Sequence, residues 1–395
     1  MNPSYNSFRF FAFFAVFLFH TNLLYAGYLG VQAFFVLSGF LITPILIDTK
    51  AETNSFGAYI KNFLVRRTLR IFPLYYFYLI VILLAITFFG LARFEYFASL
   101  KSQLVYGFTY TYNIFHATKS FEHNDFITHF WSLAVEEQFY LLWPLLIYFT
   151  RTHRIKRVLQ LIILLGPVIR LLTGYYADHG HASWLGAHKD LLVYLSTFSH
   201  LDAFAIGGYF ALYQTRVVKS LEVFATLGAT LLLGYATNYF QSGDIQILTL
   251  GYPAYMQNSF KYVWGYTALN YCFALLLFKL KSRNFQTWIF ENKLLASLGK
   301  VSYGLYVYHF AMIWLAHQAG KELGLMDRFA TRLLVDLGAL LATIGISYLS
   351  FNYFENRFIG LKDKIAPKKH VPRESVPADP GDVAVVPIEI KSPAP

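Results

Sequence analysis

Residues 8–47 read FRFFAFFAVFLFHTNLLYAGYLGVQAFFVLSGFLITPILI. Across this stretch the formally charged side chain is Arg9, and the one imidazole is His20. An α-helix needs about 20 apolar residues to cross the hydrocarbon layer of a bilayer. The stretch holds two such runs, at about 8–25 and 27–47. It therefore reads as two successive membrane spans. The first run carries one early positive charge, lacks a clear small-residue cleavage site and is followed at once by the second. It reads as a retained span rather than a signal peptide.

Eight further apolar runs follow, at about 71–90, 130–149, 158–174, 191–213, 221–239, 262–278, 301–319 and 332–353. Composition agrees with this count. The 395 residues are 56% hydrophobic and 14% charged, where soluble domains average about 45–50% and about 25%. A soluble globule of this length could not hide so much apolar surface, because a single core stops growing near ~250–300 residues. A cytosolic globular enzyme, a disordered chain and a disulfide-rich secreted domain are excluded. The expectation is an all-α membrane protein with about ten transmembrane helices and no internal repeat. Residues 1–358 form the membrane domain. The remainder, 359–395, is basic and then Pro-rich, and is expected to be a disordered tail.

The net charge of +11 reads as topology rather than nucleic-acid binding. Lys and Arg collect on the cytoplasmic side of membrane proteins. The loops after the second, fourth, sixth and eighth spans hold 5, 4, 2 and 5 of them, against 7 in all the opposite loops together. This bias puts both termini in the cytoplasm. The single Cys272 lies in an apolar run and reads as a buried hydrophobe, with no metal cluster implied.

A charged side chain in the hydrocarbon costs at least ~2.5–3.5 kcal/mol on insertion scales. Arg9, His20, Glu136, Glu137, Arg170, Asp202 and His309 are functional candidates on that ground. Arg9 and His20 share one helix face, ~16 Å apart along the axis. His20 lies ~7 Å from the external end of its span, and Glu136 and Glu137 lie ~9–10 Å deep in theirs. A carboxylate at matching depth can hold an imidazole in one tautomer and stabilise the imidazolium. Adjacent glutamates diverge by about 100°, so at most one is expected to face His20. The other possibility is that one glutamate pairs with an arginine such as Arg170 while the other faces a water cavity. In FLVRRTLRIFPLYY, Arg67 and Arg70 lie at i, i+3 on one face. Two guanidiniums so placed suit phosphate, or simply mark the cytoplasmic boundary. Asp202 and His309 are expected to line a substrate path or form a structural polar pair. Gly30, Ser38 and Gly39 read mainly as helix packing.

The stretches RFFAFFAVFLFH, GVQAFFVLSGFLIT, RRTLRIFPLYY, HFWSLAVEEQFYLLWP, LDAFAIGGYFA, VSYGLYVYHF and YFENRF occur in that order over about 8–358. Together they resemble the acyltransferase-3 family of integral membrane acyltransferases. The resemblance implies transfer of an acyl group, usually acetyl, from cytoplasmic acyl-CoA to a carbohydrate or lipid-linked glycan, such as lipopolysaccharide, across a bacterial inner membrane. It implies a central catalytic role for His20 and functional roles for Arg9, Arg67 and Arg70. It places Trp131, Ser132, Glu136 and Glu137 near the site. Acyl-CoA is a co-substrate, and no bound cofactor or metal is expected. The short tail resembles the stand-alone type, without an added periplasmic hydrolase-like domain. Gln32 departs from the pattern, because the family often has an acidic residue after Gly-Val.

In the mechanism this suggests, Arg9, Arg67 and Arg70 hold the anionic end of acyl-CoA, and the thin pantetheine arm threads toward His20. His20 acts as general base on the acceptor hydroxyl, which needs one step, or is itself acylated. The external loops at about 91–129 and 240–261 carry aromatic residues able to stack on sugar rings. Two competing classes are a transporter or flippase using the buried charges, and a sensor or scaffold without chemistry. The absence of an inverted repeat counts against the first. The second leaves the matched depths unexplained.

Overall fold

The computed structural model describes residues 2–179, 185–186, 189–256, 260–281 and 287–366. Its main helices are α1 (Pro3–His20), α2 (Leu29–Glu52), α3 (Phe56–Phe88), α4 (Glu95–Phe108), α5 (Phe130–Phe149), α6 (Ile155–His179) and α7 (Lys189–Leu195). They continue with α8 (Leu201–Tyr213), α9 (Ser220–Ser242), α10 (Lys261–Lys281), α11 (Lys293–Lys300), α12 (Ser302–Glu322) and α13 (Phe329–Ser350). No strand occurs among the described residues. The protein is an all-helical integral membrane protein.

Each of the ten apolar runs falls on helix. Six helical segments among the described residues are long and apolar enough to cross a membrane, and a bent pair at 189–213 would make a seventh. The other three runs lie on α1, α5 and α12, which hold Arg9 and His20, Glu136 and Glu137, and His309. These helices carry polar residues along much of their length, the site candidates among them. All three are packed inside the bundle, with Phe13, Phe139 and Leu305 fully buried, so their polar groups are shielded from lipid by neighbouring helices.

The run at 191–213 was expected to be one span from its apolarity, but it is not one continuous helix. It breaks at Ser196, continues as a 3-10 turn over Thr197–His200 and bends by 73°. Freed backbone groups in an apolar interior need partners, and this break supplies them. Arg170 donates to the Ser199 carbonyl at 2.7 Å, and the His200 ring donates to the Tyr194 carbonyl at 2.7 Å. Gln32, fully buried, lies 3.0 Å from the other His200 nitrogen. A neutral amide at position 32 is thus matched to a histidine across the α2–α8 contact.

Small residues let α2 and α8 cross at backbone distance. A Cβ on Gly39 would lie 2.0 Å from the Phe204 carbonyl oxygen, and one on Gly207 would lie 2.1 Å from that of Val36. Gly30 packs likewise on the Ala12 carbonyl of α1. Gly30 and Gly39 are packing residues, as expected; Ser38 has another role, described below. Cys272 is buried, with its sulfur 3.3 Å from the Thr230 hydroxyl. After α13 the chain turns through short helices at Asn356–Ile359 and Lys362–Ile365, and Ala366 is buried. The tail from 367 onward lies outside the described residues.

Candidate active site

α1 positions two groups at opposite ends. Arg9 sits in its second turn, where Asn6 Oδ1 accepts a hydrogen bond from the guanidinium at 3.1 Å. His20 is its last residue. The helix stops there because Asn22 takes up a left-handed conformation (φ 60°), which asparagine tolerates better than most residues. Arg332 of α13 donates to the Thr21 carbonyl at 2.9 Å, a cation at the negative end of a helix.

One cavity collects the charged residues. Arg9 of α1, Arg67 and Arg70 of α3, and Glu136 and Glu137 of α5 all line it. Ser38 of α2 and Tyr303 and Tyr306 of α12 complete its polar wall. The i, i+3 spacing of Arg67 and Arg70 does place both on one face, and Arg9 joins them from another helix. Arg67 also lies over the Tyr140 ring, 5.5 Å from its centroid, a favourable cation–π geometry.

The glutamates do not reach His20. Glu136 Oε1 accepts from the Ser38 hydroxyl at 2.6 Å and from Tyr140. Glu137 shares the cavity with the three arginines. The pairing of a span-4 carboxylate with His20 that depth suggested is therefore not formed; these carboxylates sit in the arginine cavity. Depth fixes a residue's position along the membrane normal, but the helix packing order decides what it faces. Arg170 is not their partner either. It makes a two-pronged ion pair with Asp202, at 2.9 Å on each oxygen, with both side chains fully buried. Val263, Ser199 and Thr267 satisfy the other donors of the guanidinium. This is a closed structural pair at the broken helix, apart from the cavity.

Trp131 also turns away from the cavity, packing on Tyr194 with ring centroids 4.4 Å apart. Its neighbour Ser132 lines the cavity and bonds to the Tyr306 hydroxyl and the His129 carbonyl. Beyond these groups lies a cluster of imidazoles. His309 packs 4.9 Å from His129 and 5.3 Å from His20, measured between ring centroids. His309 and His129 are buried, whereas His20 is half-buried, with Phe310 against it at 4.3 Å. The site thus has an arginine-lined cavity at one end and a histidine at the other, bridged by Ser132, Tyr306 and His309.

Sequence reasoning did not single out His129, Tyr140 or Tyr306, and it read Ser38 mainly as packing, whereas its hydroxyl donates to Glu136 in the cavity wall. His129 precedes its span and so escaped a search for charge inside apolar runs. Tyr140 and Tyr306 are two of 30 tyrosines, and nothing local distinguishes them.

The acyltransferase domain model matches residues 2–351. The chain belongs to the acyltransferase-3 family. It is 28% identical over 339 residues to O-acetyltransferase OatA of Staphylococcus aureus, a match covering 79% of this chain and 50% of that protein. It is 37% identical over 174 residues to peptidoglycan O-acetyltransferase OatA of Listeria monocytogenes, covering 42% of this chain and 27% of the relative. The chain thus spans about half the length of the Staphylococcus relative. No solved structure matches it.

Proposed function

We propose that this chain is an O-acetyltransferase that moves an acetyl group from acetyl-CoA, bound in the arginine-lined cavity, to a hydroxyl of a carbohydrate that reaches His20 from the opposite side. The observation that carries the reading is the convergence of Arg9, Arg67 and Arg70 from two helices on one cavity. Three guanidiniums at one site suit the phosphates of a nucleotide, and each offers a planar fork of donors. Those phosphates stay at the cytoplasmic surface, because they are too costly to carry into hydrocarbon. The loop bias in Lys and Arg supports this sidedness. The thin pantetheine arm then runs along the ~16 Å between Arg9 and His20, past Ser132 and Tyr306.

His20 serves as general base. It takes the proton of the acceptor hydroxyl as the oxygen attacks the thioester carbonyl, and returns a proton to the departing thiolate of CoA. The hydroxyls of Ser132 and Tyr306, bonded to each other and to the His129 carbonyl, shape the path between the two ends. Glu136 and Glu137 belong to the donor end, where they set the charge balance of the arginine cluster. The name of the Listeria relative, a peptidoglycan O-acetyltransferase, favours a cell-wall carbohydrate as acceptor. The fully satisfied Arg170–Asp202 pair leaves no polar route for a transporter at that position.

The test is transfer of labelled acetyl from acetyl-CoA to peptidoglycan fragments by the purified, detergent-solubilised protein. Label in the glycan, removable by mild alkali, supports the reading. Acetyl-CoA that neither binds nor is consumed, across several glycan fractions, overturns it.

A further inference from the structure

The group that packs beside His20 is an imidazole rather than a carboxylate. His309 is fully buried. Its Nδ1 lies 2.6 Å from the Tyr306 carbonyl oxygen. A carbonyl can only accept, so Nδ1 carries the hydrogen and Nε2 is left as a bare lone pair. Nε2 has no hydrogen-bond partner among the described residues. His129 shows the same pattern in mirror image. Its Nε2 donates to the Val307 carbonyl at 3.2 Å, and its buried Nδ1 has no partner. Buried polar atoms in native proteins are nearly always paired, so an unpaired acceptor calls for an explanation.

We propose that His309 is a positioning residue for His20: its Nε2 lone pair accepts a hydrogen bond from the N–H of His20, so that the other ring nitrogen of His20 presents its lone pair to the acceptor hydroxyl. The 5.3 Å between the ring centroids is the spacing of rings in edge contact. The terminal torsion of histidine is broad, so rotation of the half-buried His20 ring completes the bond. Tyr306 fixes the tautomer of His309, and His309 fixes that of His20. During transfer the proton of the acceptor hydroxyl goes to the outward nitrogen of His20, the ester C–O bond forms and the thioester C–S bond breaks. The same proton then leaves with the thiolate as CoA–SH. The proton shared with His309 stays on His20 throughout, and His309 holds the imidazolium in place. This inference rests on the acetyl-transfer reading, with His309 filling the place that a carboxylate takes in serine-hydrolase triads.

The test compares wild type, His309→Leu and His309→Gln in the full-length protein. Glutamine can donate to the Tyr306 carbonyl and still present an oxygen to His20, whereas leucine fills the space without an acceptor. Leucine is expected to lower kcat by at least about 10-fold, a share of the general-base contribution, with the KM for acetyl-CoA unchanged within about twofold. Glutamine is expected to restore most of the loss. A leucine variant with wild-type kcat, a KM change in step with kcat, or a glutamine variant as poor as leucine overturns the proposal. A second measurement does not depend on transfer. Diethyl pyrocarbonate modifies the free lone pair of a neutral imidazole, and its rate at His20 is read by peptide mass spectrometry. The rate should fall several-fold in His309→Leu and recover in His309→Gln. Equal rates in all three proteins overturn the proposal even if no acetyl transfer is ever found, and that last result counts against the acetyl-transfer reading alone.

Discussion

If His20 is the general base proposed above, replacing it by alanine removes that base without touching the residues that line the arginine cavity. Transfer is expected to fall by about 10²–10⁴-fold, with acetyl-CoA binding, followed by equilibrium dialysis, within about twofold of wild type. Arg67→Ala and Arg70→Ala act at the opposite end. Each should weaken acetyl-CoA binding and reduce its salt dependence, since charge attraction to a partly exposed site is screened by ions. Unchanged binding would leave these arginines as topology markers. Glu136 separates two accounts of the glutamates. Its bonds to Ser38 and Tyr140 place it in the arginine cavity, so if acetyl-CoA binds there Glu136→Gln should change its KM more than kcat; a pure kcat loss would return it to His20. At this scale the sequence was legible wherever burial of a group is expensive. Arg9 and His20 stood out because an apolar run makes a charge conspicuous, and Arg67 and Arg70 because their i, i+3 spacing puts two guanidiniums on one face. Side chains that are cheap to bury, such as Tyr306 and Ser132, carry no such mark, and depth along a span does not reveal which helix face meets which neighbour.

Two contacts between elements hold the site in register. The α2–α8 crossing depends on Gly39 and Gly207, each too close to a carbonyl to admit a side chain. Gly207→Val should cost about 1–3 kcal/mol or more by overpacking, seen as a lower midpoint of thermal unfolding in detergent; an unchanged midpoint would mean that the helices separate freely there. The break between α7 and α8 depends on the Arg170–Asp202 pair. Breaking a buried pair from one side costs about 3–5 kcal/mol, so Asp202→Ala should destabilise strongly, and Arg170→Met with Asp202→Leu together should recover part of the loss. Transfer at full rate by a folded Asp202→Ala protein would confirm a structural role and exclude a catalytic one. The helices themselves were readable from apolar runs. The break was not, because Ser-Thr-Phe-Ser carries no proline, and its partners come from residues distant in sequence, Arg170 and Gln32.

Across the whole molecule, polarity is arranged along one axis. Arg9, Arg67 and Arg70 line one cavity, with Ser132 and Tyr306 in its wall, and the imidazoles of His20, His129 and His309 pack together next to Tyr306, outside that lining. Apolar surface faces outward on α3, α6, α9 and α13, where Leu84, Leu164, Leu232 and Leu334 are all exposed, as lipid contact requires. The net charge of +11 separates into residues in the connecting loops and a few cations, Arg9, Arg67 and Arg70, that line the cavity. This division was visible in the sequence as charge inside and outside the spans. The clustering of Arg9, Arg67, Arg70, Glu136 and Glu137 into one cavity was not, since it depends on α1, α2, α3, α5 and α12 meeting. The central claim is that donor and acceptor meet across the molecule, from opposite ends of that axis. It is tested most directly in sealed proteoliposomes of one orientation, with labelled acetyl-CoA on the side of Arg67 and Arg70 and a glycan acceptor on the other. Labelled ester on the far side, dependent on His20 and abolished when acetyl-CoA is supplied only with the acceptor, is the predicted result. Transfer that proceeds equally well with both substrates on the His20 side would contradict the account.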